Sequence, residues 1–231
     1  MKRLYAVAVA VCLMVSTSFA AWDYFTVIGD GEGQATYGRG SMEGFKIRYG
    51  LMENLEIFAT NGDVAGIESG YFVGARYQIL PEMLALSLDV GIPYTARSDF
   101  GLVPGLSFTM GINDMISFGI GAELGVALNH ADNGPTNDDD SRLLMNLNFG
   151  VEFGFQITEA VGVFLGCAIG LPDFTSDPSP DATIDPWVGV SFTVTENLSL
   201  ATMLGIDLND TNRKNEDAIA FKGGVEFTIS F

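Results

Sequence analysis

The chain has few bases. It carries 11 Lys and Arg against 29 Asp and Glu, for a formal net charge of -18. So acidic a protein repels a phosphate backbone, which excludes nucleic acid as a partner. Histidine is scarcer: His130 is the only one, and it opens an acidic stretch with Asp132 near by. Triad or general-base chemistry needs a histidine held against its partners. A single histidine in such a stretch reads as solvated, so the chain reads as a non-enzyme. The glycine-rich Gly29-Asp30-Gly31-Glu32-Gly33 carries acids where a phosphate needs donors, so no nucleotide cofactor is expected. The acidic stretches match no dedicated calcium-loop spacing, so no metal is expected either. A membrane helix needs about 20 apolar residues. The most apolar internal run, Val161 to Leu171, is too short and is broken by Gly162, Gly166 and Gly170.

Cysteine is nearly missing too. Of the 2 cysteines, Cys12 falls in a leader and Cys167 stands alone, so no intrachain disulfide is expected. Cys167 shares parity with Val163, Leu165 and Ile169 and reads as a small apolar residue. The leader has a secretory layout: Lys2 and Arg3, an apolar run from Leu4 to Val15, then the small-residue site Ser18-Phe19-Ala20. Residues 1–20 are expected to be a signal peptide cut after Ala20 or Ala21. Losing Lys2 and Arg3 takes the formal charge from -18 to -20.

What the chain has in quantity is alternation. In the last segment Val225, Phe227, Ile229 and Phe231 are apolar, while Gly224, Glu226, Thr228 and Ser230 are small or polar. That is the period of a strand with two different faces. A soluble fold rarely leaves such an edge uncovered, whereas a closed barrel has no edge. The same parity runs through Leu84–Ile92, Ile116–Leu128 and Leu143–Ile157. Five tight turns share one form, an apolar residue, three residues usually holding an acid, and an apolar residue. They span residues 51–55, 80–84, 112–116, 157–161 and 194–198. Longer polar connections alternate with them at 30–41, 61–69, 95–99, 129–142, 172–185 and 209–217. Short turns on one side and long loops on the other are the asymmetry of outer-membrane barrels. The non-apolar face is rich in Gly, Ala and Ser rather than Lys and Glu, so it reads as enclosed, with the apolar face toward lipid.

The expected fold is an all-β, antiparallel up-and-down transmembrane β-barrel over residues 21–231. Five short turns between six hairpins give twelve strands, the first around Trp22 to Ile28 and the last Ala218 to Phe231. If the first segment is not in the barrel, ten strands remain. Leu55 to Thr60 reads as a short strand. The glycine-rich stretch that follows the first segment reads as a loop.

The ending Val225, Phe227, Ile229, Phe231 resembles the signal by which bacterial outer-membrane proteins are recognised for assembly. It implies a bacterial outer-membrane location, contact with outer-membrane lipid, and the barrel-assembly machinery as a partner. The run Arg48-Tyr49-Gly50-Leu51, with Asn54-Leu55-Glu56 after the turn, resembles a hairpin of transporter barrels grouped under the phenol-degradation meta-pathway name. That likeness implies a channel for small, aromatic or apolar compounds.

Parity assigns an inward set: Lys46, Arg48, Glu56, Arg76, Gln78, Asp89, Glu123, Asn146, Asn148, Glu152, Gln156, Asp207, Lys222 and Glu226. Read as a pore, Lys46, Arg48, Arg76 and Lys222 face Glu123, Glu152 and Glu226 across a lumen. Read as a filled barrel, the same charges pair in a dry interior. Phe58, Phe72, Phe164 and Trp187 share the inward parity and are expected to form an apolar constriction. Acids at Asp132, Asp138–Asp140, Asp173, Asp177, Asp181, Asp185, Asp210, Glu216 and Asp217 are assigned to the loops. The chain is thus read as a passive channel for small solutes, or else as a structural or surface-binding barrel with acidic loops.

Overall fold

A computed structural model describes residues 27–40, 44–64, 67–81, 83–93, 98–130, 141–175, 182–208 and 220–231. They form twelve strands: β1 (Gly33–Gly40), β2 (Gly44–Met52), β3 (Leu55–Val64), β4 (Ile67–Leu80), β5 (Leu84–Pro93), β6 (Ser98–Asn113), β7 (Ile116–His130), β8 (Ser141–Thr158), β9 (Val161–Leu171), β10 (Thr183–Thr195), β11 (Leu198–Asp207) and β12 (Ala220–Ser230). Each pairs antiparallel with its sequence neighbours, and β1 pairs with β12, so the sheet closes into a barrel. Residues 1–26, which include the expected signal peptide, and the stretches 131–140, 176–181 and 209–219, which hold most of the acidic loop residues, lie outside the described residues.

Apolar side chains face outward on every part of the wall. Ile47, Ile57, Val73, Leu88, Leu106, Ile120, Leu165, Val188 and Leu204 are all exposed. An exterior this apolar is unfavourable in water and suited to hydrocarbon. The alternation seen in the sequence is therefore an inverted one, with polar groups inside.

All five predicted tight turns are present, and each is entered through a register irregularity on the strand before it: Gly50/Met52, Gln78/Leu80, Gly111/Asn113, Gln156/Thr158 and Thr193/Thr195. Such a bulge adds the twist a short turn needs. The carbonyl at each turn's last residue then accepts from a strand of the next hairpin. Asn54 takes Gln78 N–H, Met83 takes Thr109, Met115 takes Gln156, Ala160 takes Thr193 and Asn197 takes Ser230, all within 3.0 Å. The short-turn rim, periplasmic by its form, is thus laced hairpin to hairpin.

The twelve-strand count holds, but the first strand is not where the alternation placed it. Trp22 to Thr26 lie outside the described residues, and Val27 and Ile28 are not in a strand. Strand β1 is the glycine-rich Gly33–Gly40, a stretch whose composition reads as a loop. Its outward set, Ala35, Tyr37 and Arg39, is too weakly apolar to read as a lipid face. Pairing on both sides outweighs that weakness: Thr36 lies opposite Lys46 on β2 and Thr228 on β12. The closure is finished at Phe231, whose N–H donates to Gly33 O at 2.9 Å while Gly33 N–H donates to Phe231 O at 2.8 Å. A side chain on Gly33 would overlap the Phe231 ring. Strand β3 is also longer than expected, with 10 residues. It continues through Asn61-Gly62, where Gly62 pairs with Gly44 and Gly70.

Candidate functional site

The register carries the inward parity around all twelve strands, and Glu56 is a heavily bonded group on it. It enters β3 opposite Gly50 of β2 and Arg76 of β4. Its Oε2 accepts from Arg48 Nη2 at 2.7 Å and from the Ile28 N–H at 2.9 Å. Its Oε1 accepts from Arg48 Nε at 3.2 Å and lies 3.1 Å from Arg76 Nη1. Arg48 Nη1 donates to Gln34 Oε1 at 3.1 Å. Arg48, Glu56 and Arg76 are all buried. Charges in a poorly solvated interior persist when paired and fully bonded. Here one carboxylate serves two guanidiniums, so the described inward side chains of β2–β4 keep a positive excess.

Glycine lets the chain before β1 reach that cluster. Glu32 N–H donates to Gly29 O at 3.1 Å, and Gly31 takes φ 75°. This is the geometry of a type II turn, which needs glycine at its third position. It folds Ile28 and Gly29 back inside the short-turn rim. Gly50 N–H donates to Glu32 O and Gly31 N–H to Gly50 O, both at 3.0 Å. A side chain at Gly50 would overlap the Gly29 carbonyl.

The four inward rings share one device. Each stands directly across from a glycine: Phe58 from Gly74, Phe72 from Gly91, Phe164 from Gly189 and Trp187 from Gly166. At all four glycines an added Cβ would come under 3.0 Å from the ring. The rings therefore lie over the neighbouring strand, in the space a side chain would fill. On β9 and β10 the arrangement is reciprocal, each strand giving one ring and one glycine. Lys46 Nζ lies 4.7 Å from the Phe58 centroid and the Arg76 guanidinium carbon 5.6 Å from it, both within cation–π range.

The other wall is acidic. Glu123, Glu152, Asp185 and Glu226 lie on β7, β8, β10 and β12. Glu152 is fully buried. Its Oε2 accepts from Trp187 Nε1 at 3.0 Å, and its Oε1 has no hydrogen bond among the described residues. Lys222 Nζ pairs with Asp185 Oδ1 at 3.2 Å. This pair corrects two expectations. Asp185 is a strand residue, not a loop acid, because β10 begins at Thr183. Lys222 is engaged on the acidic wall rather than grouped with Lys46, Arg48 and Arg76. Asn146 accepts from Asp173 N–H at 2.7 Å and so also anchors the turn after β9.

Of the predicted inward residues, Arg48, Glu56, Arg76, Asp89, Glu123, Asn146 and Glu152 are buried, while Lys46, Gln78, Asn148, Gln156, Lys222 and Glu226 are half-buried. Asp207 lies in β11 opposite Ala220. His130 ends β7 opposite Ser141. Several inward residues are not marked by parity. Gln34 and Thr36 were lost with the misplaced first strand. Val64, Val103 and Ala127 form an apolar cluster with Phe72, where β4 approaches β7 across the interior. Ala201 joins Phe164 and Trp187 in a second cluster, with Ala168 and Met203 against it. An alternation template does not flag an apolar residue on the polar face, which is why these escaped.

No family model matches the chain, and no curated protein matches it in sequence. Solved structures do share its fold. It is similar to an outer membrane channel from Pseudomonas putida at TM-score 0.60 and 13% identity, over 90% of this chain and 98% of that one. It is also similar to the NanC porin at TM-score 0.54 and 10% identity, over 87% of this chain and 98% of that one. The chain therefore has the closed antiparallel barrel fold of bacterial outer-membrane channels.

Proposed function

We propose that this barrel is a passive outer-membrane channel for small solutes. The observation that carries the reading is the distribution of inward charge. The bases Lys46, Arg48 and Arg76 stand on the adjacent strands β2–β4. Beside them stand Glu56 on β3 and Asp89 on β5, while Glu123, Glu152, Asp185 and Glu226 are spread over β7–β12 with Lys222 as the base among the described side chains. Among the described inward side chains, β2–β5 thus hold three bases and two acids, and β7–β12 four acids and one base; a barrel filled only for stability gains nothing from such an imbalance, because buried charges are cheapest beside their partners. The imbalance instead sets up a field across a pathway, which orients a dipolar solute and sorts ions. The shared fold with a porin and an outer membrane channel supports the same reading. Phe58, Phe72, Phe164 and Trp187, lying on the wall beside this field, would narrow the path with apolar surface. Together with the hairpin at Arg48-Tyr49-Gly50-Leu51, they favour small aromatic or apolar compounds among the solutes. In this reading Val225, Phe227, Ile229 and Phe231 present the closing strand to the barrel-assembly machinery, and the leader directs export.

Purified folded protein in planar bilayers should give discrete conductance steps. A folded barrel that stays silent sinks the channel reading. The second reading, a filled barrel acting through its acidic loops, then stands; the complete burial of Arg76, Glu56, Glu152, Phe72, Phe164 and Val103 favours it. It predicts surface binding that changes when Asp138, Asp139 and Asp140 are neutralised.

A further inference from the structure

We propose that the bore of the barrel is set by its ring-seating glycines, with Gly74 as the determining residue at the level of Phe58. This rests on the channel reading above and names the residue that limits solute size.

Every inward aromatic ring among the described residues has glycine as its direct cross-strand partner on the next strand: Gly74, Gly91, Gly166 or Gly189. A ring laid over glycine touches the backbone of the wall and takes up about one ring thickness of the lumen. A ring displaced from that seat has to rise toward the axis. Non-bonded carbons settle about 3.5–4.0 Å apart, so a methyl group added under 3.0 Å from the ring cannot coexist with it. Three of the four seats have a second reason to be glycine. A Cβ at Gly91, Gly166 or Gly189 would also crowd the Tyr71, Val151 or Thr202 carbonyl oxygen. Gly74 has no such backbone neighbour within its three nearest atoms: they are two atoms of the Phe58 ring and Asp89 Oδ1, all side-chain atoms. There the first obstacles a methyl group meets are the Phe58 ring and the Asp89 carboxylate, both of them side chains.

The direction of movement follows from the neighbours. Phe58 is bounded within the wall by Arg76 on β4 and by Lys46 on β2, which both lie in cation–π range of the ring. Displaced from Gly74, it moves into the lumen and brings its cationic partners with it. Gly74→Ala should then narrow the path, and removing the ring should cancel the effect.

The test compares wild type, Gly74→Ala, Phe58→Ala and the double variant by single-channel conductance and by swelling of vesicles in sugars of increasing size. Gly74→Ala should lower both conductance and size cutoff. The double variant should match Phe58→Ala, a non-additive result that assigns the loss to the ring. Gly74→Ala behaving as wild type, or a double variant still narrowed relative to Phe58→Ala, overturns the proposal. If Gly74→Ala does not fold but the double variant does, the seat is confirmed by the rescue. If neither folds while Phe58→Ala alone does, the proposal fails, because the methyl group then clashes with something other than the ring.

A second measurement separates this proposal from the channel reading. Trp187 and Trp22 are the two tryptophans, so in a Trp22→Phe background emission reports Trp187 alone. Gly166→Ala should lift that ring from the wall, with a shifted emission maximum and increased quenching by acrylamide. If no variant conducts yet Trp187 responds, the channel reading fails and the seats stand. If Trp187 in folded Gly166→Ala is unchanged, the seats do not hold the rings and the proposal falls.

Discussion

Replacing Glu56 by alanine should be among the most damaging single changes in the barrel. The carboxylate accepts two bonds from Arg48, one from the Ile28 amide, and an ion pair from Arg76, with no side-chain exposure of its own. Without it, Arg48 and Arg76 remain buried as like charges. Removing one partner of a buried pair typically costs about 3–5 kcal/mol, most of it from the charge left behind. The Ile28 N–H loses its acceptor too, but it sits near the rim where water can replace it, so its share is small. We therefore expect a loss of about 3–5 kcal/mol. Glu56→Gln should lose less, since its amide oxygen still accepts one bond. The assay is urea unfolding of protein refolded in lipid vesicles, followed by the difference in gel migration between folded and heated barrel. The discriminating variant is Glu56→Ala combined with Arg76→Met. Removing one of the stranded charges should recover part of the loss, with a coupling of about 1 kcal/mol or more. If Glu56→Ala lies within about 0.5 kcal/mol of wild type, as a surface substitution would, the cluster is not the interior anchor described here.

Three further outcomes follow from the same geometry. Gly33→Val should slow barrel assembly, because its side chain occupies the place of the Phe231 ring at the closing seam; the folded fraction against time reads this, and unchanged kinetics would refute the seam geometry. Gly50→Val should drive the Gly29 carbonyl out of the short-turn rim and expose the preceding chain, so limited proteolysis should cut near residues 27–32 faster than in wild type. By contrast, Lys222→Ala should cost little, about 0–1 kcal/mol, because its pair with Asp185 is partly open to solvent, with side-chain exposures of 42% and 31%; a loss as large as that at Glu56 would mean the pair is more enclosed than it is drawn.

Most of the wall is legible in the sequence, and the reason is physical. A strand's side chains alternate with period two, so parity at Leu84–Ile92 or Leu143–Ile157 sorts lipid-facing from inward residues without further information. The tight turns were legible for a related reason: Glu53-Asn54 and Glu196-Asn197 interrupt two apolar runs at a spacing that fits a hairpin. The first strand was not legible, because Gly33–Gly40 has little outward hydrophobicity, and its pairing with β12 joins residues far apart in the chain. Asp185 was misassigned because an acid next to a polar loop looks like part of it.

The inward set followed from the same parity; the partnerships within it did not. Nothing in the spacing says that Glu56 joins Arg48 to Arg76, that Lys222 takes Asp185, or that Trp187 bonds Glu152. Those choices depend on the shear of the barrel, which decides which rows of side chains stand at the same height. The rings show the division most clearly. Alternation alone determined that Phe58, Phe72, Phe164 and Trp187 point inward. Only the closed sheet decided that each faces a glycine on the next strand and lies down against it, because register is a property of two strands together and of neither alone.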